Sequence, residues 1–353
     1  MQASPPARIL FGVYVVLAIY ASLYPLSGWR AQGLSPFAYL ASPWPRYVTA
    51  FDLAANLLGY LPFGFLCIAA LRPKLKGAAA FGVTLAGAGA LSVLLEALQS
   101  YLPTRVATNL DVLCNVGGAA LGAVLALAAA PRLLIEGPLR RLRAAAFLPG
   151  AGIDVGLVLL GLWLFTQLNP ATLLFAAGDL RDLFSAGREE VRPGYFVAVE
   201  ALTASANLVA VGLLLSVIVR REQLPHALFV ALVVAALVVK TAAYAIVMHT
   251  GNVLAWMTLG AQIGLAVGVV LALALMSLPR TARLAVAATL LMAATVVVND
   301  APANPYFAAT LKVWQQGHFL NFNGLTRLVS ALWAFAALGY LIFLAARRRE
   351  PTG

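Results

Sequence analysis

The chain has 353 residues, of which 62% are apolar and only 10% charged, and its mean hydropathy is +0.90. A soluble globular chain carries roughly 25% charged residues, so this composition excludes a soluble enzyme and points to an integral membrane protein. The formal charge of +11, from 24 Lys and Arg against 13 Asp and Glu, would suggest nucleic acid in a soluble chain. Here the basic residues alternate between dense and sparse loops, which is membrane topology and excludes a nucleic-acid patch.

A hydrocarbon core takes about 20 apolar residues per helix. That length predicts about ten spans, near 9–29, 51–71, 78–101, 109–130, 151–170, 196–219, 224–247, 253–278, 283–299 and 327–346. The first is too long for a signal-peptide core. With a cytoplasmic N-terminus, the inside loops collect fifteen basic residues and the outside loops eight, Lys240 falling within a span. The fold class is therefore all-α, a polytopic transmembrane helix bundle with both termini cytoplasmic. Cys67 and Cys114 both fall in apolar spans, so no disulfide framework and no metal-ligand spacing is expected, and no cofactor is implied.

The Arg-rich, Pro-containing stretch 132–150 is the best internal boundary, a basic cytoplasmic linker between a four-span front (1–131) and a six-span rear (151–353). The outer loop 171–195 reads as too charged to be buried. Near 304–325, Phe307, Leu311, Trp314 and His318 recur with helical spacing, which predicts an amphipathic segment in the outer interface. In the rear half, Glu200 and Lys240 read as a neutralising pair inside the membrane.

The front half holds the chemistry. Asp52, Asn56 and Tyr60 share one helix face at i, i+4 and i+8; Glu96 and Gln99 are i, i+3; Asp111 and Asn115 are i, i+4. The second span runs outside to inside, the third returns, and the fourth starts outside. Asp52 and Asn56, Glu96 and Gln99, and Asp111 and Asn115 thus converge at one depth near the extracytoplasmic surface, with Arg105 in the short connection. Ionisable groups in membrane segments mark functional sites. Gly118 and Gly122 form a small-xxx-small pair for close helix packing.

These residues resemble the VanZ-like family of bacterial membrane proteins over roughly residues 10–130. One part of the resemblance is Asn56-Leu-Leu-Gly-Tyr60-Leu-Pro62-Phe-Gly64, similar to the family's Asn-x-x-x-Phe-x-Pro-x-Gly helix with Tyr60 for the usual Phe. The other is Glu96-x-x-Gln99, then Pro103-x-Arg105, then Asp111-x-x-x-Asn115-x-x-Gly118. Family members often carry an acid where this chain has Thr108. The resemblance implies a multi-pass protein of the bacterial cytoplasmic membrane, in a family whose founding member is associated with low-level teicoplanin resistance.

Three readings of function stay open. In an enzyme acting on an envelope lipid or lipid-linked glycan, Glu96 and Asp111 would be the catalytic candidates, with Glu96 as general acid or base. Arg105, Asn56, Gln99, Asn115 and Asp52 would bind substrate, Arg105 holding a phosphate or carboxylate. A non-enzymatic lipid-binding or flippase-like protein would use the same groups. A structural partner of envelope machinery would use them as an ion-pair network in which Arg105 neutralises Glu96 or Asp111.

Overall fold

The computed structural model describes residues 5–33, 35–45, 47–72, 74–130, 137–181, 193–220, 224–248, 253–301 and 320–347. Among them the regular structure is helical: α1 (Pro5–Leu23), α2 (Ala50–Leu71), α3 (Gly77–Gln99), α4 (Asn109–Ala130), α5 (Pro138–Ala146), α6 (Ala151–Thr166), α7 (Pro193–Ile218), α8 (Leu224–Met248), α9 (Leu259–Leu275), α10 (Arg280–Asn299) and α11 (Leu320–Ala346). Eight of these are long and apolar enough to cross a membrane, while two of the ten expected spans, α6 and α9, are shorter apolar helices of 16 and 17 residues. The protein is thus a multi-pass, all-helical membrane protein. It divides into two compact units, Met1–Ala145 and Ala146–Gly353, the division falling within the basic stretch 132–150, where α5 also lies.

In the first unit, four helices alternate in direction. Phe11 of α1 meets Phe63 of α2 edge-on at 5.2 Å, the Tyr14 hydroxyl donates to the Gly59 carbonyl, and Arg8 Nε donates to the Ala70 carbonyl at 3.3 Å, so α1 and α2 are antiparallel. The closest pairing is between α2 and α4, which run parallel. Gly118 lies so near the Leu57 carbonyl that a Cβ there would stand 2.1 Å from its oxygen; for Gly122 and Leu61 the figure is 1.9 Å, and for Gly64 and Ala119 also 1.9 Å. Backbone meets backbone along two turns, which only glycine permits. The α2 and α4 N-termini are thereby forced to the same level.

The second unit is built round α7, whose apolar window is mostly buried. Helix α9 packs on it through Gly260, Gly264 and Gly268, each a residue whose added Cβ would meet the α7 backbone or side chains at 3.0 Å or less. Trp163 stacks on Phe175 at 5.4 Å in the core, and the Trp333 indole donates to the Leu159 carbonyl at 2.7 Å, joining α11 to α6.

Two expectations change here. The loop expected to be too charged to be buried begins instead with a buried apolar run, Leu173 to Ala177, with Phe175 wholly inaccessible and the Gly178 amide donating to the Ser330 carbonyl at 2.7 Å. The first charge of that loop is Asp179, so the five residues before it carry nothing to keep them in water. The amphipathic segment near 304–325 lies outside the described residues up to 319, and its last part, from Leu320, is the start of α11. That helix begins well before the expected 327, because Asn323 and Thr326 are fully buried inside it rather than at its mouth.

Candidate functional site

The polar groups of the first unit gather where α2 and α4 begin and α3 ends. Two capping arrangements define this end. Thr49 caps α2: its hydroxyl accepts the Asp52 amide at 3.1 Å, while the Asp52 carboxylate accepts the Thr49 amide at 3.2 Å, a reciprocal capping box. Thr108 does the corresponding work for α4, its hydroxyl accepting the Asp111 amide at 3.1 Å. The Thr108 amide in turn donates to Glu96 Oε2 at 2.9 Å, so the last turn of α3 is held to the cap of α4. The residue at which this chain departs from the VanZ-like pattern is therefore a structural joint. Its signal in the sequence is the Thr-x-x-Asp spacing, present at both 49–52 and 108–111.

Asn56 Nδ2 donates to Asp111 Oδ1 at 2.6 Å, across the glycine-mediated contact between α2 and α4. Asn115, one turn below Asp111, donates to Ser92 Oγ at 2.9 Å, one turn below Glu96 on α3. Ser92 also interacts with the Tyr60 hydroxyl, so α2, α3 and α4 share a polar layer beneath the carboxylates. Asp52, Asn56, Glu96, Asp111 and Asn115 are thus brought to one end of the bundle. Exposure falls along them: Asp52 is exposed, Asn56 and Asp111 are half-buried, and Glu96 is buried at 4%. The charges of Glu96 and Asp111 act on each other, as do those of Asp52 and Asp111.

Gln99 and Arg105 reach the same end but with partners the sequence does not suggest. Gln99 Nε2 donates to the Ser22 carbonyl at 2.9 Å, and Arg105 Nη2 to the Tyr24 carbonyl at 2.7 Å. Both carbonyls belong to the end of α1 or the residue just past it, where a helix leaves acceptors unsatisfied. Arg105 also feels the charge of Glu96; burial lowers its pKa from the ordinary guanidinium value, and Glu96 acts to raise it. The Tyr39 hydroxyl, donating to the Val93 carbonyl at 2.9 Å, has its pKa raised first by burial and then by Glu96. Tyr39 lies on a short 3-10 turn, Ala38–Ala41, that approaches α4, and Asn109 Nδ2 donates to the Ser42 carbonyl at 2.7 Å. Sequence reasoning missed Tyr39, Ser92, Thr49 and the capping role of Thr108. No group of three or more His, Cys, Asp or Glu side chains among the described residues has the arrangement of a metal site.

What such a site can do follows from its inventory. Carboxylates at graded depth can accept hydrogen bonds from a ligand or exchange protons with it, and the amides fix their positions. The family model described as VanZ/LLP1 matches residues 11–130, a segment that contains every group described above. No curated protein and no solved structure matches the chain.

Proposed function

We propose that the VanZ-like segment holds a headgroup site for an envelope lipid or lipid-linked glycan, at the extracytoplasmic face of a bacterial cytoplasmic membrane. The orientation rests on the distribution of basic residues, fifteen on the assigned inside against eight outside, with both termini inside. The observation that carries the reading is the descent from exposed Asp52 through half-buried Asp111 to buried Glu96, at the ends of three helices. A chain of acids that starts in water and ends inside the bundle gives a headgroup a route inward while its tails stay in the bilayer. Under this reading Glu96 is the deepest group a ligand meets, and Asp111, fixed by Asn56, stands above it.

Substitution of Glu96 by Gln separates turnover from binding. An enzyme would lose turnover of lipid-linked precursors, because Gln keeps the shape of the side chain but not its proton exchange. A binder or flippase-like protein would show no turnover in either form, and its lipid occupancy would fall in the variant. Labelling with a membrane-impermeant thiol reagent tests the orientation. In a background lacking Cys67 and Cys114, a cysteine at Thr104 is labelled in intact cells and one at Gly77 is not; the reverse pattern would overturn the outward-facing site.

A second reading is favoured by Gln99 and Arg105, which spend hydrogen bonds on the Ser22 and Tyr24 carbonyls. In that reading the cluster is a clasp fastening α1 to α3 and α4, and the protein is a structural partner of envelope machinery. Replacing Arg105 by Gln would then release α1 and lower stability without changing which lipid co-purifies.

A further inference from the structure

Resting on the headgroup reading, we propose that the group this site receives is the primary ammonium of a zwitterionic aminophospholipid, rather than a phosphate. The argument is a census of what the site offers. The polar donors at this end are directed to acceptors within the protein: Asn56 to Asp111, Asn115 to Ser92, Gln99 to the Ser22 carbonyl, Asn109 to the Ser42 carbonyl, and the Thr108 amide to Glu96. The acceptors are in surplus. Asn115 Oδ1, on a residue only 5% exposed, is buried without a hydrogen-bond partner one turn beneath Asp111, and Asn109 Oδ1 is likewise unmatched at the start of the same helix. A carboxylate offers about four lone-pair sites; the donors shown are the Thr108 amide for Glu96, and Asn56 and Thr108 for Asp111.

Charge points the same way. Among the described residues, Asp52, Glu96 and Asp111 are three carboxyl groups coupled in series, and Arg105 is the guanidinium coupled to Glu96. A phosphate entering here would add negative charge to a partly buried acidic cluster, which costs more as water is excluded. A hydroxyl would supply hydrogen atoms but leave the excess charge uncompensated. An ammonium supplies three N–H donors and a compensating positive charge together. The rim supports a lipid source for it: Trp44, Tyr47, Phe51, Tyr101 and Val106 are all exposed large side chains near this end, and exposed aromatics belong at the headgroup level of a bilayer.

The test uses the full chain in detergent micelles and native mass spectrometry of lipid retention. Four lipids of matched acyl chains are compared: phosphatidylethanolamine, its N-acetyl derivative, phosphatidylcholine and phosphatidylglycerol. Retention of phosphatidylethanolamine at least tenfold above the other three is expected. Glu96→Gln and Asp111→Asn should each reduce that preference severalfold, with gel filtration and helical content confirming a folded protein. The wild-type comparison needs no variant, so it stands even if one of them fails to fold. Equal retention of the four lipids would overturn the ammonium assignment. If phosphatidylglycerol is preferred and its retention depends on Glu96, the ammonium assignment fails while the headgroup site stands. If no lipid depends on Glu96 or Asp111, both fail. Displacement of phosphatidylethanolamine by an equal concentration of soluble glycerophosphoethanolamine would overturn the lipid as the source of the amine.

Discussion

The two units handle polar groups inside apolar helices in opposite ways. In the first, the acids sit at helix ends, descend from exposed to buried, and keep acceptors in surplus. In the second, the charges are sealed. Lys240 is 1% exposed, its ammonium donating to the Asn169 carbonyl at 2.7 Å and the Thr172 carbonyl at 2.8 Å, with the Thr172 hydroxyl at 3.3 Å. Glu200, also 1% exposed, accepts from the Thr258 hydroxyl at 2.5 Å and supplies the opposite charge. Three acceptors for three ammonium protons leave Lys240 nothing to offer a ligand. A buried charge that is fully matched is a structural element, whereas one that is incompletely matched and connected to water is available for binding or proton exchange.

The contrast is broken most severely from the sealed side. Glu200→Leu removes the opposite charge that acts on the buried Lys240 ammonium and takes the acceptor from the Thr258 hydroxyl, and depriving a buried charged group in this way costs about 3 kcal/mol. The double variant Glu200→Leu, Lys240→Met should recover much of that loss, since both charges are then gone. Thermal unfolding of the purified protein in micelles measures both; equal losses in the single and double variants would mean that the two charges do not compensate each other. Glu96→Leu in the first unit should cost less, because no fully buried cation depends on it.

An intermediate effect is expected where the first unit brings α2 and α4 together. Gly122→Ala places a methyl group 1.9 Å from the Leu61 carbonyl oxygen, with backbone rather than a pliable side chain in the way. Overpacking of this kind costs about 1–3 kcal/mol. Separating the two helices also draws Asn56 from Asp111, so lipid retention should fall with stability. Gly59→Ala, where nothing lies within 4 Å of the added carbon, is the control and should leave both unchanged.

The smallest effect compares the two caps. Thr108→Ala should lower stability by about 1 kcal/mol, as loss of a helix cap does, and it also loosens the joint with Glu96. Thr49→Ala removes the matching cap at the exposed start of α2, where water can replace it, and should cost roughly half as much. Thr108→Ser should restore the wild-type unfolding temperature. If the two alanine variants are indistinguishable, the link between Thr108 and Glu96 contributes nothing beyond an ordinary cap.

Much of the first unit could be read in advance because its constraints are local. Helical spacing puts Asp52 with Asn56 and Asp111 with Asn115, and a short connection between α3 and α4 brings Glu96 to the start of α4. Hydrophobic length alone gives the membrane character, since each long apolar run has no other stable environment. The small-residue pattern at Gly118 and Gly122 likewise foretells close packing. The influence of Glu96 on Arg105 was legible, but the hydrogen bonds of Gln99 and Arg105 to the Ser22 and Tyr24 carbonyls were not, because those acceptors are 77 and 81 residues away and every residue type carries the same carbonyl. Nor was the burial of Leu173 to Ala177 evident, since an apolar run of five residues enters a core only if neighbouring helices leave a space of its shape. The sequence determined which helices form and which faces carry acids. The tertiary structure decided which groups each of those acids meets and how deeply each is buried, because that depends on backbone acceptors and on exclusion of water, neither of which a side-chain pattern encodes.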